Sequence, residues 1–156
     1  MNLFKFPLES LRTLRKQKER VAQQHYARAL AACDAAVAQL QDANRELVAA
    51  WETLVIELHD GAAAAQILGR HTWCATLETR RNELQAVLNE ARRAAGTAFR
   101  EMVVAVRDRE ALDRFRDKSR RAHERDVQRE EQKNFDEMAV QMNGANGLLQ
   151  LAGHES

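Results

Sequence analysis

Histidine, cysteine and tryptophan are the residues here whose chemistry is best placed first. Five histidines occur in 156 residues, and they are scattered. No HExxH run appears, and no pair stands at the spacing that a zinc site requires. His59 and His71 flank one interruption in the chain, where they read as exposed loop residues rather than as ligands. Cys33 and Cys74 form no CxxC pair. In a hairpin they would lie about two dozen residues apart, far beyond the ~7 Å between Cα atoms that a disulfide spans. They read as small apolar residues in a reducing compartment. There is no glycine-rich phosphate loop and no nucleophile elbow, so neither catalysis nor a cofactor nor a metal site is expected.

What remains is the chemistry of recognition. Trp51 and Trp73, with Ile67 and Leu68, put apolar surface near one point of the chain. Aromatic clusters of this kind anchor partner proteins when they are exposed. The stretch "LRTLRKQKER" carries Arg12, Arg15, Lys16, Lys18 and Arg20, and the first 20 residues have a net charge of +4. An acidic protein partner fits that charge. Nucleic acid does not, because the chain as a whole has a formal charge of only +1 and resembles no basic-zipper fork.

The elements that position these residues are helical. Aromatics make up 5%, charged residues 30%, and there is one proline, Pro7. Ala, Leu, Arg, Glu and Gln dominate, all good helix formers. Pro7 suits a first helical turn. From Leu30 a periodic seam is expected through Cys33, Val37, Leu40, Leu47, Trp51, Leu54 and Leu58, with Asn44 in its polar slot. Leu11, Leu14 and Val21 keep that spacing in another phase. The segment "HDGAAAAQILGRH", bracketed by Gly61 and Gly69, is the one break. Beyond it a second seam runs through Cys74, Leu77, Leu84, Leu88, Ala91, Ala95, Ala98, Met102, Ala105 and Leu112.

Two long amphipathic helices joined by a short connection predict an antiparallel coiled-coil hairpin. The expected fold class is all-α: a single hairpin over 1–142, with helices at about 7–59 and 70–141, a loop over 60–69, and a disordered tail over 143–156. If His59 faces Arg70, Leu14 comes opposite Phe115, and Ala31–Ala38 faces Ala91, Ala95 and Ala98. Trp51 and Leu54 then lie near Leu77 and Cys74. No stretch of 18 residues lacks a charge and no secretory leader pattern opens the chain, so neither a membrane span nor a signal peptide is expected.

Two segments carry a family resemblance. "FKFPLESLRTLRKQKE" is similar to a pattern of two alternating aromatics, a leucine and then Leu-x-x-Leu-Arg. "REEQKNFDEMA", from Arg129 to Ala139, follows the charged "LDRFRDKSRR". Together, at the two ends of a hairpin, they resemble the FliJ family of flagellar type III export. That resemblance implies a non-enzymatic stalk that binds a hexameric export ATPase and the cytoplasmic domain of the export gate protein FlhA, cytoplasmic and peripheral to the membrane through these partners. It places Phe4, Phe6, Leu8, Leu11, Arg12, Arg15, Lys16, Arg129, Glu130, Glu131 and Gln132 at the ATPase-binding end. Trp51, Leu54, Trp73 and Leu77 fall at the gate-binding end. Export chaperones are further candidate partners. The alternatives are the equivalent stalk of a virulence secretion system, a cargo escort, and a homodimeric coiled-coil scaffold.

Overall fold

The structure, a computed structural model, describes residues 3–152, with side chains through residue 147. Two helices account for nearly all of it: α1 (Glu9–His59) and α2 (Ala64–Ala152). No strand occurs among the described residues. Contacts gather into two compact units, Leu14–Asp108 and Met1–Thr13 with Arg109–Ser156. We call them the hairpin unit and the terminal unit.

In the hairpin unit the chain reverses through a four-residue connection, 60–63, between α1 and α2. Gly61, with φ of 72°, supplies the left-handed residue that closes α1. The Ala62 N–H donates to the Glu57 carbonyl (3.0 Å) and the Gly61 N–H to the Leu58 carbonyl (3.4 Å). These are the two bonds of a Schellman cap, which satisfies carbonyls that the helix end leaves open. The loop expected over 60–69 is therefore shorter, and Gly69 lies inside α2 with open space around it. The Arg70 guanidinium reaches back to Glu57 (3.1 Å) and fastens the turn.

The interior of this unit is narrower than the sequence pattern suggests. On α1 the buried residues are Ala36, Ala43, Leu47 and Leu54. Tyr26, Cys33 and Leu40 continue one column at seven-residue spacing, and Ala22, Ala29 and Ala50 continue the other; all six are half-buried. One face of the seam is thus a column of five alanines, Ala22, Ala29, Ala36, Ala43 and Ala50. On α2, Cys74, Leu77, Leu88, Ala95 and Ala98 are buried, with Leu84, Ala91, Met102 and Ala105 half-buried. That is the seam expected for the second helix.

For α1 the expectation needs correction. Leu30, Trp51 and Leu58 are exposed, as are Leu14 and Val21. The alanines at seven-residue spacing, Ala22, Ala29, Ala36, Ala43 and Ala50, take the interior positions instead. The register differs as well. Tyr26 packs on Phe99 (ring centroids 5.4 Å) rather than level with Val103, and His25 pairs with Glu101 (3.6 Å). The helices are offset by roughly one turn of about 3.6 residues from the expected alignment. This offset sets Ala36 level with Leu88 and Ala50 level with Cys74, whereas Ala29 comes level with Ala95.

In the terminal unit, the segment before α1 lies against α2. Phe6 packs on Phe115 (6.0 Å) and Phe4 on His123 (5.6 Å). The Glu9 N–H donates to the Phe6 carbonyl (3.3 Å) and the Arg12 N–H to that of Leu8 (2.9 Å), which starts the helix just past Pro7. Described helix continues through 143–152, where a tail was expected, and 153–156 lie outside the described residues.

Candidate interaction surfaces

The terminal unit is held by charge where the hairpin unit is held by apolar packing. Arg12 Nε donates to Asp113 Oδ1 (2.6 Å) and Arg12 Nη1 to Glu9 Oε1 (3.0 Å). Arg109 Nη1 donates to Asp113 Oδ2 (2.9 Å), so one carboxylate joins two guanidinium groups. Only 15% of the Arg12 side chain and 24% of the Asp113 side chain is exposed, which strengthens these bonds relative to surface pairs. The hydrogen bond from Arg12, reinforced by Arg109, holds the Asp113 carboxyl below its usual range, and Asp113 raises the Arg12 guanidinium above its own. Arg12, expected among residues that meet a partner, is thus engaged within the chain.

The other residues expected at this end divide in the same way. Phe4 and Phe6 are half-buried against α2, whereas Leu8 and Leu11 are partly open at 38% and 36%. Arg129, Glu130, Glu131 and Gln132 are exposed, with Arg129 beside Asp126 (3.8 Å) and Gln132 donating to Asp136 (3.0 Å). Arg15 and Lys16 belong to the hairpin unit, where Arg15 bonds Asp108 (2.5 Å).

A surface that the sequence reading passed over stands on α2 of the terminal unit. Arg114, Lys118, Arg121 and Arg125 are exposed and recur at four- and three-residue steps, along one side of the helix. They line a shallow groove with Asp117, Glu124 and Gln128. The two acids are taken up by Arg116 (3.2 Å) and Arg120 (3.7 Å), which leaves the groove positive. The signal was present in the sequence, but the intermixed signs of 113–137 hid it. Only the pairing of each acid with an arginine from outside the stripe uncovers it.

At the loop end of the hairpin unit, the four residues expected to meet a gate separate. Leu54 and Leu77 are interior, at 4% and 3% exposure. Trp51 and Trp73 are open at 38% and 48%. They do not form one cluster. Trp51 makes an edge contact with His71 (6.3 Å) across one flank of the seam. Trp73 stands two residues past His71, about 200° further round α2 at 3.6 residues per turn, and so projects from the other flank. Trp51 adjoins an open apolar strip with Val48, Val55 and Ile56.

Among the described residues no group of three or more His, Cys, Asp or Glu gathers to hold a metal ion, and no helix is long and apolar enough to cross a membrane. No curated protein and no solved structure matches the chain. The family described as Flagellar FliJ protein matches it over residues 4–147, which takes in both paired helices, the turn and the terminal aromatics. With that match over nearly its whole length, the chain belongs to the FliJ family, a component of the flagellar type III protein export apparatus.

Proposed function

We propose that this chain is the non-enzymatic, cytoplasmic stalk of the export apparatus, joining a hexameric export ATPase at its terminal unit to the cytoplasmic domain of the export gate at its loop end. The family membership supports the setting. The observation that carries the ATPase contact is the exposed stripe of Lys118, Arg121 and Arg125, continued by Arg114 beside Glu110 (3.6 Å), whose neighbouring acids Asp117 and Glu124 pair with other arginines. Such a stripe steers and orients an acidic partner surface. The Arg12–Asp113–Arg109 bonds hold the unit together beneath it. Phe4 and Phe6 seat the start of the chain on α2, so the stripe is presented by a rigid element. Arg129 to Gln132 extend the exposed charge along the same helix. Export chaperones remain partners of the same role, docking on surfaces that the ATPase and gate leave open.

Trp73 carries the gate contact. It is a large aromatic ring 48% exposed, whereas Leu54 and Leu77 are interior. The ATPase reading is tested by Lys118→Glu/Arg121→Glu/Arg125→Glu, which leaves Arg12, Arg109 and Asp113 intact. Stimulation of ATP hydrolysis by the chain is expected to fall at least tenfold at low salt. The difference should narrow at high salt, where a Debye length of about 3 Å at 1 M already weakens the native contact. Full stimulation by the folded triple variant would remove the stripe from the ATPase contact.

A further inference from the structure

The flank of α1 that carries Trp51 holds a complete second column. Leu30, Val37, Asn44, Trp51 and Leu58 recur every seven residues beside the interior column of Cys33, Leu40, Leu47 and Leu54. Leu30, Trp51 and Leu58 are 42%, 38% and 56% exposed, and Val48 and Val55 widen the strip at 57% and 61%. A two-helix pair needs only a narrow seam of two columns. Three apolar columns belong to a helix with a second neighbour. The described chain has only α1 and α2, and α2 already covers the other side of that seam.

The order of the column indicates the neighbour. Read outward from Asn44 it runs Val37 then Leu30 in one direction, and Trp51 then Leu58 in the other. A two-fold axis at Asn44 sets leucine on leucine and the smallest apolar residue, valine, on the largest, tryptophan. Self-complementarity of one patch about a two-fold axis is what an isologous dimer requires. The Asn44 side chain is exposed and makes no hydrogen bond with any other described residue. An amide carries both a donor and an acceptor, so two copies satisfy each other at the axis. A lone asparagine in an apolar strip also fixes register, because any slip leaves it facing a hydrocarbon.

We propose that this flank binds a second copy of this chain, antiparallel and centred on Asn44. The pairing covers Trp51 and leaves Trp73 and the terminal unit free, so it is independent of the export role and compatible with it as a state of the free chain. The test places one cysteine at a time in a Cys33→Ala/Cys74→Ala background. Asn44→Cys is expected to give a disulfide-linked dimer under mild oxidation, and Gln39→Cys, on the other flank, is expected to give none. Sedimentation of the unmodified chain should show a shift toward dimer between about 1 and 100 μM, the range of weak association. Leu58→Glu should weaken it at least tenfold with helicity unchanged. A chain that stays monomeric to about 100 μM, equal cross-linking at 39 and 44, or a dimer indifferent to Leu58→Glu would each overturn the proposal. The first of these results would leave the flank to a helix from another protein.

Discussion

Leu77 and Leu68 stand on the same helix and differ in one respect: Leu77 is 3% exposed and Leu68 is 68% exposed. Leu77 lies level with Leu47, itself buried, at the heart of the hairpin unit. Truncation to alanine removes most of the side chain from that contact and leaves a gap that two long helices close only in part. Buried leucine-to-alanine changes cost about 2–5 kcal/mol. A two-helix interior has few neighbours to lose, so the lower half of that range, about 2–3 kcal/mol, is expected. For a chain of this size each kcal/mol lowers the melting temperature by about 2–4 °C. Leu77→Ala should therefore melt roughly 4–12 °C below the parent, read by helical circular dichroism. Leu68→Ala should move it by less than about 2 °C, because its side chain is already in water. Equal shifts in the two variants would refute the assignment of the seam.

Two further outcomes follow from the contacts. With Cys74→Ala, the native Cys33 should bond within one chain to Ala91→Cys, which lies level with it, and not to Gly96→Cys, where the other alignment would put its partner; non-reducing gels distinguish them. The Arg12–Asp113–Arg109 group makes the terminal unit acid-sensitive. The Asp113 carboxyl is depressed, so its stabilisation is present above the unfolded value near 3.8 and is lost as pH falls through the lower folded one. Asp113→Asn should cost on the order of 1 kcal/mol at neutral pH and abolish that acid step. Amide exchange across 9–13 and 109–123 would report it, and an unchanged acid profile would contradict the role given to Asp113.

Much of this fold was legible before any coordinates. Low aromatic content, one proline and seven-residue spacing called for a helical hairpin, and the α2 seam from Cys74 to Ala105 is interior where the spacing placed it. The α1 seam was misread because size was taken as the mark of burial. Leu30, Trp51 and Leu58 are large but stand one column aside, whereas Ala22 to Ala50 are small and sit inside, where alanine lets the helices approach. Cys33, Leu40, Leu47 and Leu54 of the expected seam are interior, and the hairpin alignment moved by a turn because the connection is 60–63 and not 60–69. The terminal unit was hidden for an electrostatic reason. Arg12 looked like free positive charge but is bonded to Asp113, 101 positions away, and sequence proximity cannot report such a pair. The cations left open, Lys118, Arg121 and Arg125, looked neutralised by neighbours that in fact turn to other arginines. Near the loop, Trp51 and Trp73 are close in sequence alignment, but the helical period sends them to opposite flanks.

The proposal that one chain joins two machines through separate surfaces is tested most directly through Trp73. Its side chain is half exposed, so its loss leaves the buried seam of the hairpin unit intact. Loss of an aromatic anchor at an interface commonly costs 2 kcal/mol or more, about thirtyfold in affinity. Binding of Trp73→Ala to the cytoplasmic domain of the export gate should be measured beside its binding to the export ATPase, with the melt recorded on the same sample. The account predicts gate binding weakened about thirtyfold, ATPase binding at the parental level and an unchanged melting temperature. Gate binding equal to that of the parent chain, or loss of both partners together, would contradict it.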